Sequence, residues 1–532
     1  MKKLRKAFAV ILSLAMSLTT FAADYPSEKD SSEATVGGLQ PGDTVAFHQI
    51  VKPHYDGQVF TDYEIADSSY VIDKFNQPTA EEITTIAGQV RDKKPYKTAT
   101  VAAGADSVTE NLTVGTYLVL VTPATGSDIV YNPMIVSVYY TVDGIETSPV
   151  SAADDFKVGS TSAYAKRSEV GIDKTITNDG SGDDGKGDDT SLEDRIEFQI
   201  VTDVPKYSAE YTNITYKITD TLKGLEDIQN VKVYLDSTTN TALTAGTDYT
   251  YTAKENGYEI DLSTYVKNNL VSNNNSTTAQ HQFYVTYDAK LSADAGVNFD
   301  YNKNTAELEY SNTPTTTTTK DSTTYHYTFA IDANLNGAGS YKTGELFKTG
   351  EGEEGFREDT ETIEVKNPLE GAVFELTKTD KDYNALTGDD AWHDEETSAS
   401  DGRLTFTGLD AGYYTFKETK APMGYSLNNE VHKVQITANY NTDGTLSDYT
   451  ILIDGKATST YTAEYVKDDS GKIIEVRPAP AEGNEATTIK NTTLANLPST
   501  GGIGTTIFTI GGCIIMVAAA GLFFASRRKS SK

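Results

Sequence analysis

Ile214-Thr215-Tyr216-Lys217-Ile218-Thr219-Asp220 alternates apolar and polar side chains until its last residue. In a β-strand, residues two apart share a face, so Ile214, Tyr216 and Ile218 form an apolar stripe that ends on Asp220. The same period of two, rich in Tyr, Thr and Val, returns at residues 116–121, 196–201, 283–287 and 404–406. Turn clusters of Gly, Asn and Asp separate these stretches, and long helical periodicity is missing from the interior. This pattern predicts an all-β chain of sandwich domains.

Asp220 is one of several polar residues on apolar strand faces. Val170, Ile172, Lys174 and Ile176 share a face, and so do Asn304, Ala306, Leu308, Tyr310 and Asn312. One domain is therefore expected to bury a Lys, an Asp and an Asn. Towards the C-terminus the scheme repeats: Leu346 with Lys348, Tyr414 and Phe416 with Glu418, and Ile489 with Asn491. Burying a lone amine or carboxyl is costly, which drives such groups towards their neutral forms. A neutral amine is a nucleophile, a carboxyl can polarise an amide carbonyl, and an Asn carboxamide can lose ammonia to the amine. The product is a Lys–Asn isopeptide bond. Parity alone also allows a hydrogen-bonded Lys–carboxylate pair with an Asn nearby, and it does not separate Asn304 from Asn312.

The chain has 532 residues and a formal net charge of −32, a length that suggests three to four domains. Each end carries four cations and no acids, and without them 37 cations face 77 acids, a charge of −40. Such a balance excludes nucleic acid and anionic membranes as partners. Met1 to Lys6 is basic, residues 7–18 are apolar, and Thr20-Phe21-Ala22-Ala23 offers a cleavage site after Ala22: residues 1–22 read as a secretory signal peptide. At the other end, residues 503–526 are long and apolar enough to span a bilayer, and Arg527, Arg528 and Lys529 begin a basic cytoplasmic tail, 527–532. The single cysteine, Cys513, lies in that span, so an exported chain without it has no thiol for a disulfide.

Leu497-Pro498-Ser499-Thr500-Gly501 stands just before the span. The order LPxTG, apolar span, basic tail resembles the cell-wall sorting signal of Gram-positive surface proteins. That resemblance implies cutting between Thr500 and Gly501 by a sortase cysteine, followed by resolution of the acyl-enzyme by an amine. Leu369-Glu-Gly-Ala-Val-Phe374, Gly408-Leu-Asp-Ala-Gly-Tyr413 and Tyr414-Thr-Phe-Lys-Glu-Thr-Lys-Ala-Pro-Met-Gly-Tyr425 resemble the CnaB-type (SpaA-like) pilin domain with its E-box. The resemblance implies that Glu418 promotes a bond between Lys348 and Asn491. Asp173-Lys174-Thr-Ile, Ile218-Thr-Asp220-Thr-Leu and Asn304-Thr-Ala-Glu-Leu-Glu-Tyr310-Ser-Asn312 resemble the fimbrial isopeptide-forming domain, implying Asp220 as the acid and Lys174 with Asn304 as the bonded pair. Tyr164-Ala165-Lys166-Arg167 stands where backbone pilins carry the Tyr-Pro-Lys-Asn lysine that joins the next subunit, but departs from that motif at Ala165 and Arg167.

Taken together, the chain resembles a sortase-assembled major (backbone) pilin. The implied architecture is a rod of tandem immunoglobulin-like (CnaB/CnaA-type) sandwiches: a first β domain over 23–163, a middle sandwich over 164–312, a Thr-rich linker at 313–325 and a last domain over 326–493. The implied partners are a pilin-class and a wall-anchoring sortase, other copies of the chain, peptidoglycan, accessory pilins and host surface ligands. Without HExxH, a nucleophile elbow or a mature cysteine, no enzyme activity is expected. No cofactor or metal is implied, and the spacing of Asp179 to Ser191 does not fit an EF-hand. A wall-anchored adhesin that never polymerises shares every feature except the role of Lys166.

Overall fold

The computed structural model describes residues 17–19, 25–75, 77–178, 185–192, 194–271, 279–331, 346–351, 356–359, 362–388, 391–469, 471–479, 487–493 and 503–529. They divide into two compact units, Met1–Thr328 with Asn439–Ser447, and Phe329–Ala438 with Asp448–Lys532.

The first unit holds two sandwiches. In the first, a sheet whose path runs through Phe156–Ser160, Met134–Val142, Gly115–Thr122, Thr44–Asp56 and Val59–Ile65 faces a three-stranded sheet of Ala163–Tyr164, Ser31–Gly37 and Ser107–Thr113. Val36, Phe47, Leu112, Tyr117, Val136 and Tyr140 pack between them. The larger sheet is apolar on its outer face as well, where Ile50, Val51 and Leu118 are covered by Ile86, Ala87 and Val90 of the helix Ala80–Val90. This helix lies outside the all-β expectation. Its sequence signal is a capping box: the Thr79 side chain accepts from the Glu82 N–H, and the Glu82 carboxylate accepts from the Thr79 N–H. Of the expected signal peptide, Ser17–Thr19 pairs antiparallel with Phe156–Ser160, and the rest lies outside the described residues.

The second sandwich places a four-stranded sheet, ordered Ile172–Ile176, Arg195–Asp203, Gln282–Leu291, Leu225–Leu235, over a six-stranded sheet. The latter is ordered Gly187–Asp189, Thr316–Tyr327, Asn302–Thr313, Tyr216–Lys223, Gly257–Asp261, Thr250–Lys254. Period-two burial is strict along Tyr216–Lys223 and Gln282–Leu291. Two expectations need correction. Residues 313–325 are not a linker: a tight turn at Thr313 to Thr316 folds the Thr run back, and Thr316–Tyr327 pairs with Asn302–Thr313 along its length. Threonine is β-branched and favours strands, and here that preference outweighs the low-complexity composition. Residues 404–406 are not a strand either; the strand is Phe406–Leu409.

The second unit is built on a seven-stranded antiparallel sheet from His393–Thr397 through Val373–Thr379, Gly412–Lys420, Val431–Tyr440, Leu446–Ile453 and Lys456–Lys467 to Ile473–Ala479. Beside it, Leu346–Gly350 pairs in parallel with Thr487–Asn491, aligning Lys348 with Ile489 and Gly350 with Asn491. The last described element is the helix Ile503–Lys529, of which Phe508–Arg527 is long and apolar enough to cross a membrane. Residues 497–501 lie outside the described residues.

Candidate functional site

In the middle sandwich, Lys174 projects inward from the four-stranded sheet and Asp220 and Asn304 from the six-stranded sheet, all three buried. Asp220 stands opposite Ala306 and Asn304 opposite Leu222, so the two share a face on neighbouring strands, one residue pair apart on the diagonal. Lys174 Nζ donates to Asp220 Oδ1 at 2.5 Å and to the Tyr287 hydroxyl at 2.6 Å. Asn304 Nδ2 donates to the same hydroxyl at 2.5 Å. Among the described residues, Asp220 Oδ2 and Asn304 Oδ1 are buried without a hydrogen-bond partner. Burial lowers the Lys174 amine to about 8, against the opposing pull of Asp220. His326, buried nearby, is lowered to about 3 by burial and by the lysine's charge, which keeps a second cation out of the pocket. Phe198 stacks on Tyr287 at 4.9 Å and closes the cluster.

Of the two candidate asparagines, the geometry brings only Asn304 to Lys174. A register shift between Ser311 and Thr313 breaks the parity that put Asn312 on the inner face, and Asn312 Oδ1 instead accepts from the Thr316 hydroxyl at 2.8 Å. Tyr287 escaped the sequence reading as a site residue. The alternation of residues 283–287 already placed it on the inner face, but a core tyrosine carries no signal of what its hydroxyl meets.

The second unit assembles the other triad with different spacing. Lys348 Nζ donates to Asn491 Oδ1 at 2.5 Å and lies 3.3 Å from Glu418 Oε1. Asn491 Nδ2 donates to Glu418 Oε1 and Oε2 at 2.8 and 3.0 Å. The Asn428 N–H, absent from the sequence reading, fixes the carboxylate by donating to Oε2 at 2.6 Å. Burial lowers the Lys348 amine, with Glu418 opposing. The parallel pairing of Leu346–Gly350 with Thr487–Asn491 accounts for the meeting of residues so distant in sequence.

Lys166 sits between two short strands, Ala163–Tyr164 and Arg167–Glu169, which pair with Ser31–Gly37 and Ile129–Tyr131. Its carbonyl accepts from the Asn132 N–H at 2.9 Å, and the Ala165 N–H donates to Gly37 O at 2.8 Å. A proline at 165 would forfeit that second bond, which gives the departure from the Tyr-Pro-Lys pattern a physical basis here. The Tyr164 ring lies over Gly38, where a Cβ would come within 2.7 Å of it. Lys166 itself is half-buried, and desolvation lowers its amine.

Comparison with known proteins follows this division. Residues 29–167 match the T6 antigen Ig-like domain, residues 359–450 the SpaA prealbumin-like fold domain and residues 489–532 the LPXTG cell wall anchor motif. Over a 570-residue alignment the chain is 27% identical to the trypsin-resistant surface T6 protein of Streptococcus pyogenes serotype M6, covering 98% of this chain and 99% of that one. The solved T6 backbone pilin of serotype M6 Streptococcus pyogenes, a modular three-domain structure, shares the fold with a TM-score of 0.58, 21% identity and coverage of 88% of this chain and all of that one. With an Ig-like antigen domain, a prealbumin-like fold domain and a C-terminal cell wall anchor motif in this order, the chain is a cell-wall-anchored surface protein that shares the fold of the T6 backbone pilin.

Proposed function

We propose that the chain is the repeating subunit of a covalent pilus shaft. The signal peptide is removed after Ala22, a pilin sortase cuts between Thr500 and Gly501, and the Thr500 carbonyl passes to Lys166 of another copy. In the basal copy a wall-anchoring sortase passes it to peptidoglycan instead. Within each copy, Lys174 bonds to Asn304 with Asp220 as the promoting acid, and Lys348 bonds to Asn491 with Glu418. The role is structural, and the self-reaction happens once at each site, with no turnover.

The observation that carries the reading is the pair of buried Lys–acid–Asn clusters. Each brings the amine within hydrogen-bond reach of its acid and, directly or through one hydroxyl, of its amide. Two buried charged groups beside an otherwise unneeded carboxamide are costly unless they react. The support for Lys166 is its position: backbone clamped on both sides, amine shifted towards the neutral, nucleophilic form. Wall-extracted material boiled in detergent is expected to run as a high-mass ladder that collapses to single subunits in Lys166→Arg. A single band from the unmodified chain would overturn polymerisation and leave a wall-anchored adhesin. An unchanged ladder in Lys166→Arg would move the linkage to another lysine.

A further inference from the structure

Forming the Lys174–Asn304 bond requires one net proton transfer. The amine –NH2 becomes –NH– as its nitrogen bonds to Asn304 Cγ, and the carboxamide –NH2 leaves as NH3 when the Cγ–Nδ2 bond breaks. One proton must pass from Lys174 Nζ to Asn304 Nδ2. Both nitrogens touch the same atom, the hydroxyl oxygen of Tyr287, at 2.6 and 2.5 Å.

We infer that Tyr287 is a catalytic residue of the middle domain's self-reaction, its hydroxyl taking the proton from Lys174 Nζ while handing its own to Asn304 Nδ2. The inference rests on the Lys174–Asn304 bond proposed above. In the ground state the planar amide nitrogen has no free lone pair and donates to the hydroxyl. As the carbonyl carbon becomes tetrahedral, that nitrogen gains a lone pair aimed at the same oxygen and becomes the acceptor. The tyrosine ends as it began, neutral and protonated. Its hydroxyl is buried beside Asp220, which disfavours the phenolate and keeps the proton available.

Comparison of the two clusters explains why a hydroxyl is needed in one alone. Glu418 accepts both Asn491 N–H contacts directly, so the acid itself reaches the leaving nitrogen. Asp220 is one methylene shorter and holds Lys174, and Asn304 Nδ2 turns to Tyr287 instead. Tyr287 also anchors to the sheet opposite Phe198, so its ring is held when the hydroxyl is removed.

The test uses the mature chain, Ala23 to Thr500, followed by intact mass from synthesis onward. The unmodified chain is expected to fall short by two ammonias. Tyr287→Phe should lose the second-unit ammonia on schedule and the middle-domain one about a hundredfold more slowly, the scale of general acid–base assistance. A fluorinated tyrosine at 287 keeps ring and hydroxyl but makes the hydroxyl more acidic. It should change the middle-domain rate and its pH profile, which a purely structural role would leave alone. Both ammonias lost from Tyr287→Phe at the unmodified rate, or a fluorinated variant indistinguishable from tyrosine, would overturn the relay and leave the bond standing. An unmodified chain that keeps the middle-domain ammonia would overturn the bond and the relay together.

Discussion

Glu418→Gln removes a transferable proton while keeping the shape of the side chain and an oxygen for the Asn428 N–H, so the Lys348–Asn491 bond should fail to form with little disturbance of the fold. Lys348 and Asn491 are separated by 143 positions. On a chain-entropy account, closing a loop of that size stabilises the folded state by about 5 kcal/mol, as a disulfide of equal span would. For a unit of this size, each kcal/mol shifts the melting temperature by roughly 2–4 °C, so the loss should be about 10–20 °C. Calorimetry of the mature chain should show a lowered transition for the second unit, with the first unit's transition unchanged. Intact mass should rise by one ammonia, less the small Glu-to-Gln difference, in the same sample, tying the thermal effect to the missing bond. A variant that differs from the unmodified chain only by the Glu-to-Gln mass would show that Glu418 does not promote the reaction. A variant with the extra ammonia and no thermal shift would refute the entropic argument.

In the middle domain, Asn304→Ala should add back one ammonia, less the change in side-chain mass, whereas Asn312→Ala should leave the loss intact; peptide mapping distinguishes the two. Burial lowers the Lys166 amine, so more of it is neutral at any given pH than in an exposed lysine. Its transfer reaction with a sortase acyl-enzyme should therefore rise with pH and level off at a lower pH than the same reaction with an unfolded 160–172 peptide. Coincident profiles would show that the pocket around Lys166 does not tune its amine.

Both triads were legible as residues because strands impose a strict period of two. Lys174, Asp220 and Asn304 each interrupt a run of core side chains on its own strand, as do Glu418 and Asn491, and a buried polar residue is what such an interruption means. Their meeting was not legible from the strands, since pairing Leu346–Gly350 with Thr487–Asn491 is a tertiary choice that local alternation cannot encode. Asn312 shows the limit of parity. One irregular step after Ser311 turns it away from the core. The Thr run failed for a different reason: composition suggested a linker, and β propensity with an available partner strand made a hairpin. The helix Ala80–Val90 was readable from Thr79, Glu82 and the apolar set Ile83, Ile86, Ala87 and Val90, but it is a single short element in a chain dominated by alternation.

The side-by-side, parallel arrangement of Leu346–Gly350 and Thr487–Asn491 has a consequence for a fibre under tension. Strands that point the same way are pulled from opposite ends when a chain is stretched, so they would slide past one another in shear. A covalent bridge from Lys348 to Asn491 would pass the force through one side chain into the last strand before the anchor. The 142 residues between them, one fewer than their separation of 143 positions, would then carry no tension. Their contour length, about 470–510 Å at full extension, would be unavailable to stretching. Segments inside that bypass are free to lengthen, shorten or change composition without altering how far the fibre gives, whereas the few residues outside it bear the whole load.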